Sequence, residues 1–316
     1  MVSGIKLAKT ANDDGDYREP NLKKIAETTL QAIERGSIVA ANNVSHDLAA
    51  KVNFSNHNTR YYAPESLLST WKKNLPRRVP NAPAKTTEIA ILEVSTIDAA
   101  RIFCNTLSSQ STSYGRIAVL NFASATHPGG GFLNGARAQE ESIARASTLY
   151  PSLMVKTAQQ FYTLHAADRK GGFYFHAMIF SPSIIVFRND AGDWTEPFEI
   201  DVITSAAVNA GQVRKNLSGR EDPRDIERKI EKVMRERMAR ILFLCEQQGA
   251  ENLVLGSFGT GVFRNGVDVV AKIWADLLTV EGARFKGSFH RIIFAILGTD
   301  TFQTFKENFE RHANKL

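Results

Sequence analysis

Residues 116–153 read RIAVLNFASATHPGGGFLNGARAQEESIARASTLYPSL. The opening RIAVLNFAS is an almost unbroken apolar run, the composition of a strand buried on both faces of its sheet. Then the character changes: Pro128 is followed by Gly129, Gly130 and Gly131, which read as a loop. From Gln139 onward, QEESIARASTLYPSL reads as one helix. A buried strand that passes through a glycine loop into a helix is the repeating step of an α/β sheet with helices on both faces.

The alternation continues outward. TEIAILEV is a strand and TIDAARIFCNTL a helix; SIIVFRND, EIDVITSAAV, ENLVLGSF and RIIFAILG are further strands. The longest helix lies between the second and third of these four. Asp222 caps it, Pro223 takes its first turn, and Ile226, Ile230, Val233, Ile241 and Cys245 form its apolar stripe. Near the start, LKKIAETTLQAIERG places Leu22, Ile25, Ala26, Leu30 and Ile33 at helical spacing, with Gly36 as the stop. The first twenty residues are polar and read as loose chain. Residues 53–83 read as a layer over a core that begins at about Lys85, and no internal repeat interrupts the pattern.

A chain of 316 residues with 43% hydrophobic content can bury a large core, and its 23% charged residues of both signs exclude a disordered chain. The net charge of +6 and a pI near 9.3 favour a polyanionic partner, although surplus Lys and Arg also serve solubility. Cys104 and Cys245 sit in apolar runs without a CxxC partner, as small buried hydrophobes do, which excludes a thiolate zinc site. No apolar stretch approaches the roughly 18 residues of a membrane span, and the opening residues lack the apolar core of a secretory signal. A cytoplasmic or nuclear location is therefore expected, with no membrane partner.

Three places carry chemistry. Gly129, Gly130 and Gly131 let backbone N–H groups approach a ligand, an arrangement that suits phosphate; the plain alternative is a strand-to-helix turn. Gln139, Glu140 and Glu141 stand at a helix start, where two carboxylates are ordinarily favoured by the dipole alone. A ligand held by the glycines would nevertheless lie within their reach. Adjacent helical side chains point about 100° apart, so the two Glu have different jobs. The third place, GSFGTGVFRNG at 256–266, is a second glycine turn after an apolar strand, where open α/β sheets place ligands. It is neither GxxxxGK[ST] nor GxGxxG, which argues against an ATPase or a dehydrogenase. Phe258 reads as core, and Phe263 as a ring that packs on a sugar or base. The seven scattered His form no HExxH, and GxSxG is absent, so neither a metal hydrolase nor the commonest serine hydrolase is expected.

The stretch LNFASATHPGGGFLNGARAQEESIARASTLYPSL closely resembles the microbial-type poly(ADP-ribose) glycohydrolases, whose hallmark is GGG, a short spacer and then QEE. Here seven residues separate Gly131 from Gln139. The likeness extends to IAETTLQAIERG, DVITSAAVNAG and LGSFGTGVFRNG, and so over nearly the whole chain beyond its first twenty residues. It implies an α/β fold, a macrodomain-like three-layer α/β/α sandwich with a mixed sheet. Residues 85–316 would form this core, and residues 1–84 an N-terminal helical extension packed on it.

The resemblance also implies roles. Glu141 would be the catalytic acid, Glu140 would bind the ribose at the scissile bond, and Gln139 would fix the catalytic loop. Asn121 would contact substrate. Gly129, Gly130 and Gly131 would lie by the diphosphate on one side, with Gly259, Thr260, Gly261 and Val262 on the other and Phe263 against the ribose. Many mono(ADP-ribosyl) hydrolases of the macrodomain class carry two Asn three positions apart in the first loop. Here those positions are Asn121 and Ser124, which favours polymer cleavage. Such a reaction needs a proton on Glu141 before attack, hence a pKa raised by burial and the anionic ligand. No cofactor or metal is required. The expected partners are poly(ADP-ribose), ADP-ribose and ADP-ribosylated proteins; nucleic acid is admitted by the charge but not expected. A non-catalytic ADP-ribose reader would keep both glycine loops without using the two Glu.

Overall fold

The computed structural model describes residues 21–74, 86–108, 115–167 and 171–314. The polar first twenty residues, and the boundary expected at residue 84, lie outside them. In chain order the elements are α1 (Leu22–Arg35), β1 (Ser37–Val39), β2 (Ser45–Asp47), α2 (Ala49–Asn58), β3 (Arg60–Tyr62), β4 (Glu88–Leu92), α3 (Thr96–Ser108) and β5 (Arg116–Phe122). Then come α4 (Gln139–Ala146), α5 (Leu149–Met154), α6 (Lys156–Ala166), β6 (Met178–Arg188), β7 (Trp194–Ser205), α7 (Ala210–Leu217) and α8 (Pro223–Gln247). The chain closes with β8 (Ala250–Leu255), α9 (Val267–Leu278), β9 (Arg291–Ala295) and α10 (Thr299–Ala313).

The main sheet runs in the order β3-β6-β7-β5-β8-β9-β4. β7, β5, β8, β9 and β4 are parallel neighbours, while β6 and β3 pair antiparallel at one edge, so the sheet is mixed. Strand periodicity divides its side chains between two cores. Ala118 and Leu120 of β5 and Ile292 and Phe294 of β9 join α7, α8, α9 and α10 on one face. Ile117, Val119, Ile293 and Ala295 join α3, α4, α5 and α6 on the other. This is the expected three-layer α/β/α sandwich. Among the described residues, no helix is long and apolar enough to cross a membrane.

One irregularity decides how the N-terminal segment docks. Along β6, Met178 and Phe180 face one core and Ile179 the other. The register then shifts between Ser181 and Ile184, with Ser183 in the left-handed region at φ 54°. One extra residue in a strand inverts the facing of everything after it. Beyond the bulge Ile184 and Val186 face the core beside α4, and Ile185 and Phe187 face outward. That outward pair meets Ala32 of α1, Ile38 of β1 and Leu48 in a third apolar cluster. The segment therefore covers the half of β6 that the bulge turned over.

Three local expectations need correction. Residues 53–83 are not only a covering layer: β3 is a strand of the main sheet, paired with β6. The helix expected over QEESIARASTLYPSL breaks at Ser147 and Thr148. There Thr148 N donates to Ile185 O at 3.0 Å and its hydroxyl accepts from Ile185 N at 2.9 Å, so β6 draws the chain out of the helix. Cys104 is only half-buried, whereas Cys245 is buried. The Asp222 cap is as read: its side chain accepts from Arg224 N, and Pro223 follows.

Phe187 is fully buried against Ala32, Ile38 and Leu48. Phe187→Ala should cost about 3–5 kcal/mol in urea unfolding. An unchanged midpoint would mean that the outward half of β6 is not a core surface.

Candidate active site

β5 and β8 lie side by side and parallel, so their C-terminal ends deliver both glycine-rich loops to the same edge of the sheet. Phe122, the last residue of β5, fills the space between the loop bases: its ring lies 5.6 Å from that of Phe258, which is fully buried as read. Trp274 of α9 donates to Gly256 O at 3.1 Å and fixes the start of the second loop.

α4 carries the three polar residues, and its side chains are tied to β5 and the first loop. Gln139 acts like a further length of strand. Its Oε1 accepts from Phe122 N at 2.8 Å, while its Nε2 donates to Leu120 O at 2.7 Å and Thr96 Oγ1 at 3.1 Å. Glu140 and Glu141 are both buried, at 2% and 8% exposure. Glu140 Oε2 accepts from Ser124 N at 2.6 Å, and its Oε1 from Asn121 Nδ2 at 3.2 Å. Glu141 Oε1 accepts from Gly131 N at 2.9 Å. Glu141 Oε2 is buried and has no hydrogen-bond partner among the described residues. An unpaired buried carboxylate oxygen is costly in a folded protein and common where a ligand or substrate completes the set.

The glycines answer to these carboxylates. A Cβ on Gly130, whose φ is 59°, would overlap the Glu141 carboxyl and come within 3.2 Å of Glu140 Oε2. A Cβ on Gly129 would lie 3.0 Å from the Phe132 ring, and one on Gly131 3.0 Å from Ala136 Cβ. Burial pushes the Glu140 carboxyl up to about 8, against the pull of the Ser124 N–H and the Asn121 amide and with the Glu141 charge adding to the rise.

The second loop is built differently. Gly259 fits because a Cβ there would collide with Ala207 and Asn265, and Asn265 Nδ2 donates to Gly259 O at 2.9 Å and Val208 O at 2.8 Å. Thr260 caps its own turn through Ser257 O at 2.9 Å. Gly261 has nothing within 4 Å of a Cβ, and Val262 is 81% exposed. Phe263 is half-buried, its ring 5.9 Å from that of Tyr174.

The model of the family described as microbial-type PARG, catalytic domain, matches residues 26–189, which contain the first glycine loop and QEE. A solved poly(ADP-ribose) glycohydrolase from Thermomonospora curvata is 36% identical over 92% of this chain and 98% of its own, with a TM-score of 0.78. The same protein bound to the inhibitor ADP-HPD gives 35% identity over 92% and 98%, with a TM-score of 0.76. The glycohydrolase from Deinococcus radiodurans in complex with ADP-ribose gives 31% over 83% and 98%, with a TM-score of 0.70. No curated protein matches this sequence. The chain belongs to the microbial-type PARG family.

In this PARG-family chain, four residues hold the site from behind, of which sequence reasoning missed Asn265 and Arg214. Asn121, expected as a substrate contact, is fully buried; its amide donates to Glu140 and, at 3.1 Å, to Thr204 Oγ1, and its Oδ1 has no partner among the described residues. Ser124, where a second Asn would stand, donates its N–H to Glu140, and its hydroxyl accepts from His127 N at 3.2 Å. Asn265 and Arg214 brace the second loop, Arg214 by donating to Arg264 O at 2.7 Å while paired with Glu227. Asn121 and Ser124 occupy the two first-loop positions that the resemblance marks, Asn265 stands beside Gly266, and Arg214 carried no sequence signal.

The Glu140 carboxyl has a stability consequence. Folded, it holds its proton up to about 8, whereas its ordinary value is 4.5. Between those values the native state binds more protons, so stability falls as pH rises through that window. Glu140→Gln removes the titration. Wild-type Tm should therefore drop relative to Glu140→Gln between about pH 5 and about pH 8. Parallel Tm curves would show that Glu140 does not titrate there.

Proposed function

We propose that this chain hydrolyses the ribose–ribose O-glycosidic bonds of poly(ADP-ribose) and releases ADP-ribose, with Glu141 as the catalytic acid. The observation that carries this reading is the Glu141 carboxyl itself: one oxygen is fixed by the Gly131 N–H, and the other is buried without a partner. Two of the related glycohydrolase structures hold ADP-ribose or the inhibitor ADP-HPD, which supports an ADP-ribose unit as the ligand here.

Glu141 gives its proton to the leaving oxygen, and the bond from that oxygen to the ribose C1 breaks. The sugar carries oxocarbenium character, which the adjacent diphosphate stabilises electrostatically. The Glu141 carboxylate then takes a proton from water as its oxygen bonds to C1, and the acid is restored. Glu140, held by Ser124 and Asn121, positions the ribose hydroxyls, and as a neutral carboxyl it spares the diphosphate a further negative neighbour. Gln139 keeps α4 in register with β5. The exposed tip of the second loop, Gly261 and Val262, meets the diphosphate from the other side.

Two variants test the assignment. Glu141→Gln keeps the contact to Gly131 but cannot donate a proton, so polymer cleavage should fall by at least about 10²–10⁴ while ADP-ribose affinity by calorimetry changes little. Wild-type rates in that variant would rule out the acid. Gly261→Ala should leave Tm unchanged, because a Cβ meets nothing within 4 Å, yet weaken ADP-ribose binding. Unaltered affinity would remove the second loop from the site. An inactive wild type that binds ADP-ribose would be a reader instead.

A further inference from the structure

α4 is only 8 residues long, and no side chain caps its N-terminus. Two turns of helix are marginal without outside support, and the last carbonyls of any helix lack partners inside it. Ser147 Oγ serves one of them, donating to Ile143 O at 2.7 Å. Another, that of Arg145, is served from α1. Thr29 of α1, fully buried, donates its hydroxyl to Arg145 O at 2.6 Å.

The same hydroxyl accepts from Arg188 Nε at 2.9 Å, while Arg188 also donates to Thr28 Oγ1 at 2.8 Å and to Gly192 O. Arg188 is the last residue of β6, buried, with its guanidinium 3.4 Å above the Trp194 ring. A cation donating to a hydroxyl strengthens the bond that this hydroxyl gives onward. The chain of contacts continues past α4. Arg145 donates to Ala136 O, Ala136 N donates to Gly131 O at 3.2 Å, and Gly131 N donates to Glu141. Beside it, Ala26 of α1, Phe132 and Ala144 form one buried cluster, so the residue that follows the three glycines is seated on α1.

We infer that Thr29, held by Arg188, is a positioning residue that locks α4 and the first glycine loop in the geometry that aims Glu141, which makes α1 part of the catalytic apparatus. Neither residue reaches the reacting atoms; both act through the Arg145 carbonyl and the Arg145–Ala136–Gly131 links. The kinetic part of this inference rests on the glycohydrolase reading, and the geometric part does not.

The test compares Thr29→Val with Thr29→Ser in the full chain. Valine fills the same space but offers no donor or acceptor, and serine restores both. Thr29→Val should lower kcat on polymer by about tenfold to a hundredfold with KM and ADP-ribose affinity unchanged, the mark of a misplaced acid in an intact pocket. Hydrogen exchange at the Gly131 amide should accelerate in Thr29→Val, and Thr29→Ser should return both readouts to wild type. Wild-type kcat and exchange in Thr29→Val would overturn the inference. So would a loss explained by the unfolded fraction, or one that Thr29→Ser shares. If Thr29→Val does not fold, Arg188→Lys keeps the charge but loses the fork and should give the same pattern. A wild type without polymer cleavage would sink the glycohydrolase reading, and the exchange data would still decide the brace.

Discussion

Two adjacent carboxyls buried in the first turn of a short helix are the constraint on which the rest of this structure turns. Burial of charge is expensive unless donors replace the lost water. The donors are backbone N–H groups of Ser124 and Gly131 and the amide of Asn121, all supplied by the end of β5 and the loop that follows it. Backbone can come this close only where no side chain intervenes, so Gly130 and the QEE triplet form one unit, the glycine making room for the acids. The seven residues between Gly131 and Gln139 are the length of chain that turns over the carboxyls through Phe132–Asn134 and begins the helix.

That unit cannot hold itself. α4 is too short to be stable alone, and its loop is rich in glycine, whose freedom is lost on folding. Stiffness is imported from β5 through Gln139, from β6 through Ser147 and Thr148, and from α1 through Thr29 and the Ala26–Phe132–Ala144 cluster. The bulge at Ser183 matters for the same reason. By reversing the parity of β6 it keeps Ile184 and Val186 beneath α4 and turns Ile185 and Phe187 toward the segment that carries α1. A strand without the bulge would exchange the two pairs, giving Ile184 and Val186 to that segment and Ile185 and Phe187 to α4.

How much of this was legible depended on the range of the interactions. The central strands, the cap at Asp222 and the two glycine loops are local patterns, and the motif that decides the family is contiguous, so these read directly from the sequence. β3 is three residues long and polar around its edges, so it gave no alternation to detect. The break at Ser147 depended on the edge of β6 being close by, and Pro182 masked the first half of that strand. Thr29 and Arg188 are 159 residues apart, and nothing in either neighbourhood marks a buried pair. That Glu140 is the more deeply enclosed of the two acids was not legible, because helical spacing says only that two adjacent side chains differ.

The two glycine loops also show why glycine content is a poor measure of ligand contact. In sequence they look equivalent, each a cluster after an apolar strand. In the first, a Cβ at Gly129, Gly130 or Gly131 would meet the protein's own Phe132, Glu141 or Ala136, so the glycines are required by the fold whether or not anything binds. In the second, Gly259 is likewise enclosed by Ala207 and Asn265, but Gly261 faces open space. A residue with no internal reason to lack a side chain, set beside an 81% exposed Val262 at the end of a parallel strand, is where an external reason has to be sought. Arg264 sharpens the point. It holds the left-handed conformation at φ 57°, a strained state for a long side chain, and its carbonyl is gripped by Arg214. The chain thus spends its rigidity on the base of the second loop and leaves the tip bare, while the first loop is rigid throughout because the acids it covers must not move.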